Sequence, residues 1–321
     1  MMEEIRKKQI KEIVLISSVT IGLLVVLIFG FIWARSANGG AKNLEEENVA
    51  PTASSTNPFD DVRISARASI VKDLRTGKIL FEKSPDESLP LASLTKVMTS
   101  VTALEILEDE DLVVVNASDI AEGNDASLIV GEHFRLKEML NIAMVASSNS
   151  AARSLATAGG IKIKDTTSTA LQAFVDKMNA VASKIGMEKT SFKNPTGLDE
   201  NNETTASALG SARDISKLFE YVLKNNPQIL EATKEDYLLI KSKEGFEHKI
   251  VNTNEIVGEL PNIIGSKTGY TDIAGGNLAV VIDPSLNTPV VIVVLGSSKE
   301  GRFKDVERLS NATLDYFLIN K

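Results

Sequence analysis

The pattern of apolar and polar positions divides the region from Arg67 to Lys321 into two β-rich ends and a helical middle. Apolar and polar residues alternate in 68–73, and 79–81 is a second short apolar segment, as in strands with a buried face. Gly77 lies in the short turn between these segments, so the two strands are predicted to form a hairpin.

Three further strands are predicted near the C-terminus, at 263–270, 277–282 and 289–295, and a final amphipathic helix is predicted at 304–317. The sequence between the two β-rich ends is mostly helical in pattern. One antiparallel sheet built from both chain ends, with a helical insertion, gives an α+β fold. No internal repeat is present in the sequence.

An apolar run without a charged residue extends from Ile13 to Trp33. Its about 21 residues would form roughly 32 Å of helix, enough to cross the apolar core of a bilayer. More basic residues precede the run than follow it, so the positive-inside rule places the N-terminus in the cytoplasm and the rest of the chain outside. The alternative is a signal peptide cleaved within 36–41, but its apolar segment would be shorter.

These features predict the order of segments along the chain. Residues 1–12 form a cytoplasmic tail, 13–33 a single transmembrane anchor, and 34–61 a flexible linker rich in small and polar residues. Residues 62–321 form the folded domain. We therefore expect this domain at the cell membrane, on the extracytoplasmic side.

Composition and charge exclude several classes of function. The formal net charge of -8 argues against nucleic acid as a partner. The absence of cysteine excludes disulfides and thiolate metal sites. The two histidines, His133 and His248, lack the spacing of metal ligands, and we interpret both as surface or loop residues. We expect no metal and no cofactor.

A serine and a lysine three residues apart, Ser93 and Lys96, lie at the start of a predicted helix that continues to Leu107. Residues at this spacing share a helix face, so the lysine amine can reach the serine hydroxyl. A lysine can deprotonate a serine only if the lysine pKa lies well below its usual ~10.4. Burial lowers such a pKa, and so does a second cation, which Lys267 can provide.

The second candidate motif, Ser147 and Asn149, follows a predicted helix over 136–146. Polar residues between apolar flanks are unusual inside a helix and common at a helix break or cap. We expect Ser147 to relay a proton between Lys96 and a leaving amine. We expect Asn149 to hydrogen-bond the backbone of a substrate.

The third candidate motif, Lys267-Thr268-Gly269, lies on a predicted strand and precedes Tyr270. Lys267 and Thr268 can bind a carboxylate through charge-assisted hydrogen bonds. Gly269 allows close backbone approach, so an extended peptide can pair with this strand. The N–H groups of Ser93 and Tyr270 would then form an oxyanion hole.

Each motif alone is common by chance, whereas all three in this order strongly indicate acyl transfer. Residues 90–99, 194–198, 252–254 and 267–275 are similar to segments of the serine D-alanyl-D-alanine carboxypeptidases among the penicillin-binding proteins. The resemblance covers about residues 67–317. It implies the β-lactamase/DD-peptidase-like fold and no metal.

The resemblance also implies roles for individual residues. Ser93 is then the acylated nucleophile and Lys96 its base. Arg302 falls in a loop, 296–304, where the family often has an arginine near the carboxylate pocket. The candidate catalytic residues are Ser93, Lys96 and Ser147, and the candidate substrate-binding residues are Asn149, Lys267, Thr268, Gly269, Tyr270 and Arg302.

The chain departs from the family pattern at two points. Ser150 stands where relatives usually have an aspartate, and the segment after Leu198 lacks a histidine that relatives often have. The second departure leaves the substrate contacts in that segment undefined.

The resemblance implies an enzyme that removes the terminal D-alanine from peptidoglycan pentapeptide stems through an acyl-serine intermediate. Its partners would be muropeptides ending in D-Ala-D-Ala, with β-lactam antibiotics as acylating inhibitors. The alternatives are a β-lactamase of the same fold and a non-catalytic wall-binding module. Class A β-lactamases use a glutamate to activate the deacylating water, and no Glu-x-x-x-Asn sequence occurs between Asn149 and Gly210.

An uncleaved anchor at 13–33 should keep the protein in the membrane fraction after high-salt washing, because apolar transfer and not charge holds a spanning helix. Protease added outside intact spheroplasts should digest the folded domain, which immunoblotting would detect. Soluble exported protein with a mature N-terminus near Ala37 or Ala41 would instead identify the run as a signal peptide.

Overall fold

The computed structural model of the chain describes residues 57–120, 126–200 and 205–320. Within these ranges, no helix has both the length and the apolar content of a membrane span. The predicted tail at 1–12, the predicted anchor at 13–33 and the linker as far as residue 56 lie outside the described residues.

The described residues form twelve strands and seven α-helices, with short 3-10 turns between some of them. The strands are β1 (Ala68–Asp73), β2 (Ile79–Lys83), β3 (Leu89–Pro90), β4 (Leu112–Val114), β5 (His133–Arg135), β6 (Ser191–Phe192), β7 (Ala208–Gly210), β8 (Tyr237–Lys241), β9 (Glu247–Val251), β10 (Ile263–Thr271), β11 (Gly275–Ile282) and β12 (Val290–Ser297). The helices are α1 (Thr95–Ile106), α2 (Leu136–Val145), α3 (Asn149–Ile163), α4 (Ala170–Ile185), α5 (Ala212–Asn225), α6 (Gln228–Glu231) and α7 (Gly301–Ile319).

Both ends of the domain contribute to one five-stranded sheet with the order β10-β11-β12-β1-β2. All neighbouring strands are antiparallel, and β1 joins the two ends by pairing with β12 from Ala68–Leu295 to Asp73–Val290. The helices α1 to α6 come between β2 and β10 in the sequence. This arrangement confirms the α+β architecture that the apolar pattern predicts.

The sheet is buried on both faces, which explains why its central strands are almost continuously apolar. On one face, alternate residues such as Ile70, Ala279 and Val293 pack into a core shared with α1 to α5. On the other face, residues such as Val280 and Ile292 pack against α7. The sheet therefore lies between the last helix and the helical insertion.

The helical insertion also contains a two-stranded hairpin, β8–β9, which the sequence analysis does not predict. His248 on β9 is buried, and its Nε2 atom lies 2.7 Å from Oε1 of Glu132. Its interpretation as a surface or loop residue is therefore wrong. The inward register of β9 places His248 on the same face as Ile250, and the Glu132 carboxylate meets its hydrogen-bonding need.

The folded part begins before residue 62. Phe59 is buried and stacks on Phe81, with the ring of Tyr316 also nearby. Residues 57–61, which the sequence places at the end of the linker, thus pack against the domain. A single aromatic residue in a polar segment does not indicate that the segment is folded. The burial of Phe59 depends on contacts with β2 and α7, which are distant in sequence.

Asp305 on α7 connects the segment before β1 to the end of β12. Its buried carboxylate accepts hydrogen bonds from the backbone N–H groups of Ser65 and Ala66, at 2.9 and 2.8 Å, and from Ser297 Oγ at 2.7 Å. Three donors on two segments therefore depend on one side chain.

Replacing this carboxylate, as in Asp305→Ala, should leave buried donors unpaired and lower the free energy of unfolding by roughly 2–4 kcal/mol. Urea unfolding followed by circular dichroism measures the change. Asp315→Ala, an exposed position on the same helix, is the control and should change stability by less than about 0.5 kcal/mol. Equal effects of the two substitutions would contradict this role of Asp305.

Candidate active site

Ser93 lies in a tight turn directly before α1. A 3-10 turn at Ala92–Leu94 precedes the helix, and Ala92 has a φ of 48°. Left-handed backbone is costly for a residue with a side chain and occurs most often at functional sites. The residues before this turn are tied to the sheet by Asn277 on β11, whose Nδ2 donates a hydrogen bond to Pro90 O at 2.9 Å.

The amine of Lys96 contacts Ser93 and two residues from other segments of the chain. The side chain is fully buried, and Nζ lies 2.7 Å from Ser93 Oγ, as the three-residue spacing predicts. Nζ also donates to Asn149 Oδ1 at 2.7 Å and to the Thr196 carbonyl at 2.9 Å. Three separate chain segments thus converge on one nitrogen atom.

The second motif occupies a helix break, as the sequence predicts. Helix α2 ends at Val145, and α3 begins at Asn149 with the Ser148 hydroxyl as its N-cap. Ser147 lies between the helices with a φ of 58°, a second strained residue at the site. Its Oγ accepts a hydrogen bond from Lys267 Nζ at 2.8 Å.

Lys267 is almost completely buried on β10, where its Nζ also donates to the Thr268 carbonyl at 2.9 Å. Burial lowers the pKa of Lys267 well below its usual value, because the charged form loses its hydration. The nearby cations Lys96 and Arg302 lower this pKa further by repulsion. The two buried lysines that the sequence predicts to be neighbours therefore do affect each other.

Thr268 is fixed by Thr253, a residue whose sequence context indicates no role. Its Oγ1 lies 2.6 Å from Oγ1 of Thr253, in the segment between β9 and β10. The adjacent Asn254 donates to Ser266 Oγ at 3.0 Å, and Asn252 donates to the Thr233 carbonyl at 2.9 Å. The 252–254 segment, noted only for its family resemblance, therefore attaches β10 to the insertion.

Gly269 brings β10 into contact with the Ala92–Leu94 turn that contains Ser93. A Cβ atom at this position would lie 2.9 Å from Leu91 O and 3.2 Å from Ser93 N. The backbone N–H of Ser93 is therefore close to β10, as an oxyanion hole shared between Ser93 and Tyr270 requires.

Arg302 supports the same glycine from the other side. Its Nη1 donates to the Gly269 carbonyl at 2.7 Å, and its side chain is 5% exposed. Burial lowers the pKa of this guanidinium from its usual value. Arg302 lies in the first turn of α7, not in a loop at 296–304, because the helix begins at Gly301.

Tyr270 marks the outer rim of the site. Its ring is 41% exposed, and its hydroxyl donates to Asp272 Oδ1 at 2.9 Å, which raises the pKa of the phenol. The hydroxyl is thus engaged outside the Ser93–Lys96 contacts, and the role expected of Tyr270 in the oxyanion hole rests on its backbone N–H. β10 is an edge strand of the five-stranded sheet, so its outer edge can pair with an extended peptide.

The structure brings the sequence-predicted residues together from four segments of the chain. It adds contacts that the sequence analysis misses, notably the Thr196 carbonyl and the side chains of Thr253 and Asn277. Thr196 belongs to the 194–198 segment, which is recognisable in the sequence. Its contact with Lys96 cannot be predicted from residue type, however, because every residue has a backbone carbonyl. Asn277 carries a weak signal, as a polar residue in an otherwise apolar strand.

The family comparison agrees with this geometry. The family model for D-alanyl-D-alanine carboxypeptidases, peptidase family S11, matches residues 52–299. The chain is 34% identical over 272 residues to a D-alanyl-D-alanine endopeptidase of Escherichia coli K12, with 81% of each chain covered. It is 33% identical over 240 residues to D-alanyl-D-alanine carboxypeptidase DacF of Bacillus subtilis, where 73% of this chain aligns with 58% of the relative.

A solved structure also matches. Penicillin-binding protein D2 from Listeria monocytogenes, in an ampicillin-bound form, superposes with a TM-score of 0.65 at 26% identity. The match covers 78% of this chain and 98% of that one. The motifs, their assembly around Ser93 and these matches lead to one conclusion: the chain belongs to the D-alanyl-D-alanine carboxypeptidase family of serine peptidases.

Proposed function

We propose that this serine D-Ala-D-Ala carboxypeptidase removes the terminal D-alanine from peptidoglycan pentapeptide stems, with Ser93 as nucleophile. The observation that carries the assignment of residues is the 2.7 Å contact between Lys96 Nζ and Ser93 Oγ in a buried site. A buried amine next to a hydroxyl is the arrangement that serine activation needs.

The contacts of Lys96 support its role as the base. In the neutral amine, two N–H bonds can point to Asn149 Oδ1 and the Thr196 carbonyl. The nitrogen lone pair is then directed at Ser93 Oγ, which can donate its proton to it. As Ser93 Oγ bonds to the carbonyl carbon of the penultimate D-alanine, Lys96 takes the proton.

Release of D-alanine requires a proton on its nitrogen. Ser147 lies between α2 and α3, and its hydroxyl accepts a hydrogen bond from Lys267 Nζ. In the proposed mechanism, Ser147 carries the proton from Lys96 to the leaving amine. Water then attacks the acyl-serine ester, and the enzyme is regenerated by the reverse proton path.

Recognition of the terminal carboxylate is assigned to the cationic side of the site. Lys267 Nζ and the Thr268 hydroxyl lie on β10, and Arg302 lies behind Gly269. Three donors of this kind favour a carboxylate at the end of a peptide paired with β10. Thr253 fixes the hydroxyl of Thr268 and thereby its direction.

The proposal extends to location and to inhibition. A transmembrane anchor at 13–33 would hold the catalytic domain outside the cell membrane, where peptidoglycan is found. The apolar run and the charge distribution in the sequence support this location. The ampicillin-bound state of the Listeria protein supports β-lactams as acylating inhibitors of this chain.

Penicillin should form a covalent adduct on Ser93 that lasts for minutes or longer. Its leaving nitrogen stays tethered to the acyl group and blocks the approach of water. Intact mass and peptide mapping detect the adduct, and released D-alanine measures hydrolysis of a defined pentapeptide. Ser93→Ala should abolish both signals, whereas Ser88→Ala, an exposed serine before the motif, should keep both. Rapid turnover of penicillin without D-alanine release would instead identify a β-lactamase.

The charge of Lys267 should reduce the stability of the folded protein. Its pKa is lower in the folded than in the unfolded chain, so unfolding takes up a proton at any pH between the folded pKa and ~10.4. This destabilisation has its full value at any pH below the pKa of Lys267 in the folded protein. It disappears as the pH rises towards ~10.4.

Lys267→Met should therefore raise the free energy of unfolding at pH 7, because it removes the group whose buried charge opposes folding. The advantage over wild type should shrink as the pH rises, and D-alanine release should be lost. Urea titrations at several pH values measure the difference. Lys224→Met, at an exposed position, should show no such pH dependence. A destabilised Lys267→Met variant at pH 7 would contradict the argument.

A further inference from the structure

A cavity of about 340 Å³ adjoins the Lys96 side of the site. Its walls come from α3, from the N-terminal end of α4 and from the loop that follows β6. The residues that matter here are Arg153, Thr169, Gln172, Thr196 and Asp199. None of them has a role in the reaction described above, except that the Thr196 carbonyl contacts Lys96.

Two buried polar atoms from side chains of opposite charge line this cavity and have no hydrogen-bond partner among the residues that the structure describes. They are Nε of Arg153 and Oδ2 of Asp199. Buried donors and acceptors are normally paired, so an unpaired atom in a cavity wall can take a polar group of a ligand as its partner. The ion pairs among the described residues do not include one between these two side chains.

The guanidinium of Arg153 is held in place from its other end. Its Nη2 donates to the Ser118 carbonyl at 2.8 Å. The cavity also receives the N-terminus of α4, a helix of 16 residues whose first turn carries partial positive charge. A carboxylate between Arg153 and this helix end would therefore be stabilised twice, while Asp199 favours a cation.

The position of the cavity indicates which part of a substrate would reach it. Arg153 follows Asn149 by four residues on α3, so the two side chains lie on neighbouring parts of one helix face. Thr196 contributes to the cavity and to the contacts of Lys96. The terminal carboxylate belongs on the β10 side, so the cavity is reached by the acyl portion of the peptide.

We propose that this cavity is a subsite for an α-amino acid head group, an ammonium and a carboxylate on one carbon, carried by a side chain on the acyl side of the scissile bond. Arg153 and the N-terminus of α4 bind its carboxylate, and Asp199 binds its ammonium. The proposal rests on the proposed carboxypeptidase function and defines which stem peptides the enzyme prefers.

Four synthetic peptides ending in D-Ala-D-Ala test the subsite with the full-length protein. The residue before D-Ala-D-Ala carries the free head group, its carboxamide, its N-acetyl derivative, or a head group capped at both positions. D-alanine release gives kcat/KM for each peptide. Wild type should prefer the free head group over each singly capped peptide by about tenfold or more, as expected for hydrogen bonds to charged groups.

Each variant should lose one preference and keep the other. Arg153→Met should no longer distinguish carboxylate from carboxamide, and Asp199→Asn should no longer distinguish ammonium from acetamide. Lys162→Met, on α3 but outside the cavity, should keep both preferences. A merely structural role of the two residues would affect both preferences alike, and that result would overturn the subsite.

The doubly capped peptide separates this inference from the function on which it rests. If wild type cleaves all four peptides at equal rates and forms the penicillin adduct, the function stands and the subsite is refuted. If it cleaves none of them and forms no adduct, both proposals fall.

Discussion

The burial of two lysine side chains in one site is the constraint on which the rest of the structure depends. Lys96 and Lys267 are both at most 1% exposed, and a buried amine must find hydrogen-bond partners in place of water. These partners include the side-chain oxygen of Asn149 at the start of α3, the Thr196 carbonyl and the Ser147 hydroxyl. Removing any of these segments would take one hydrogen-bond partner from a buried lysine.

The five-stranded sheet makes this arrangement rigid. β10 carries Lys267, and it is connected to its surroundings by Arg302 on one side and by the 252–254 segment on the other. Asn277 on the adjacent strand accepts a hydrogen bond from Gly296 N at 2.8 Å and donates to Pro90 O. Three strands and the turn that contains Ser93 thus share one network, and the sheet itself fixes the distance between Ser93 and β10.

The sequence predicts those parts of the fold that depend on local periodicity. The strands at both ends and the helix break at Ser147 follow from apolar spacing and from polar residues between apolar ones. The β8–β9 hairpin and the burial of His248 depend instead on contact with Glu132, which is 116 residues away. No local pattern reports such a contact.

The candidate site shows the same division. The side chains proposed to carry out the chemistry belong to recognisable motifs, so Ser93, Lys96 and Lys267 can be found from residue type and order. The groups that position them are less visible. Thr196 contacts Lys96 through its carbonyl, a group that every residue has. Thr253 contacts the Thr268 hydroxyl only because the segment after β9 lies opposite β10. The apolar pattern predicts that the last helix begins at residue 304, whereas α7 begins at Gly301. Arg302 therefore lies in the first turn of the helix and not in a loop.

The close approach at Gly269 limits how this enzyme can evolve under antibiotic selection. A side chain there would press on the backbone of Leu91 and Ser93, the same backbone that a reacting carbonyl needs. A substitution that excludes penicillin at this point would therefore also exclude the peptide. The exposed ring of Tyr270, which Lys299 covers at the rim, is not subject to this steric restriction.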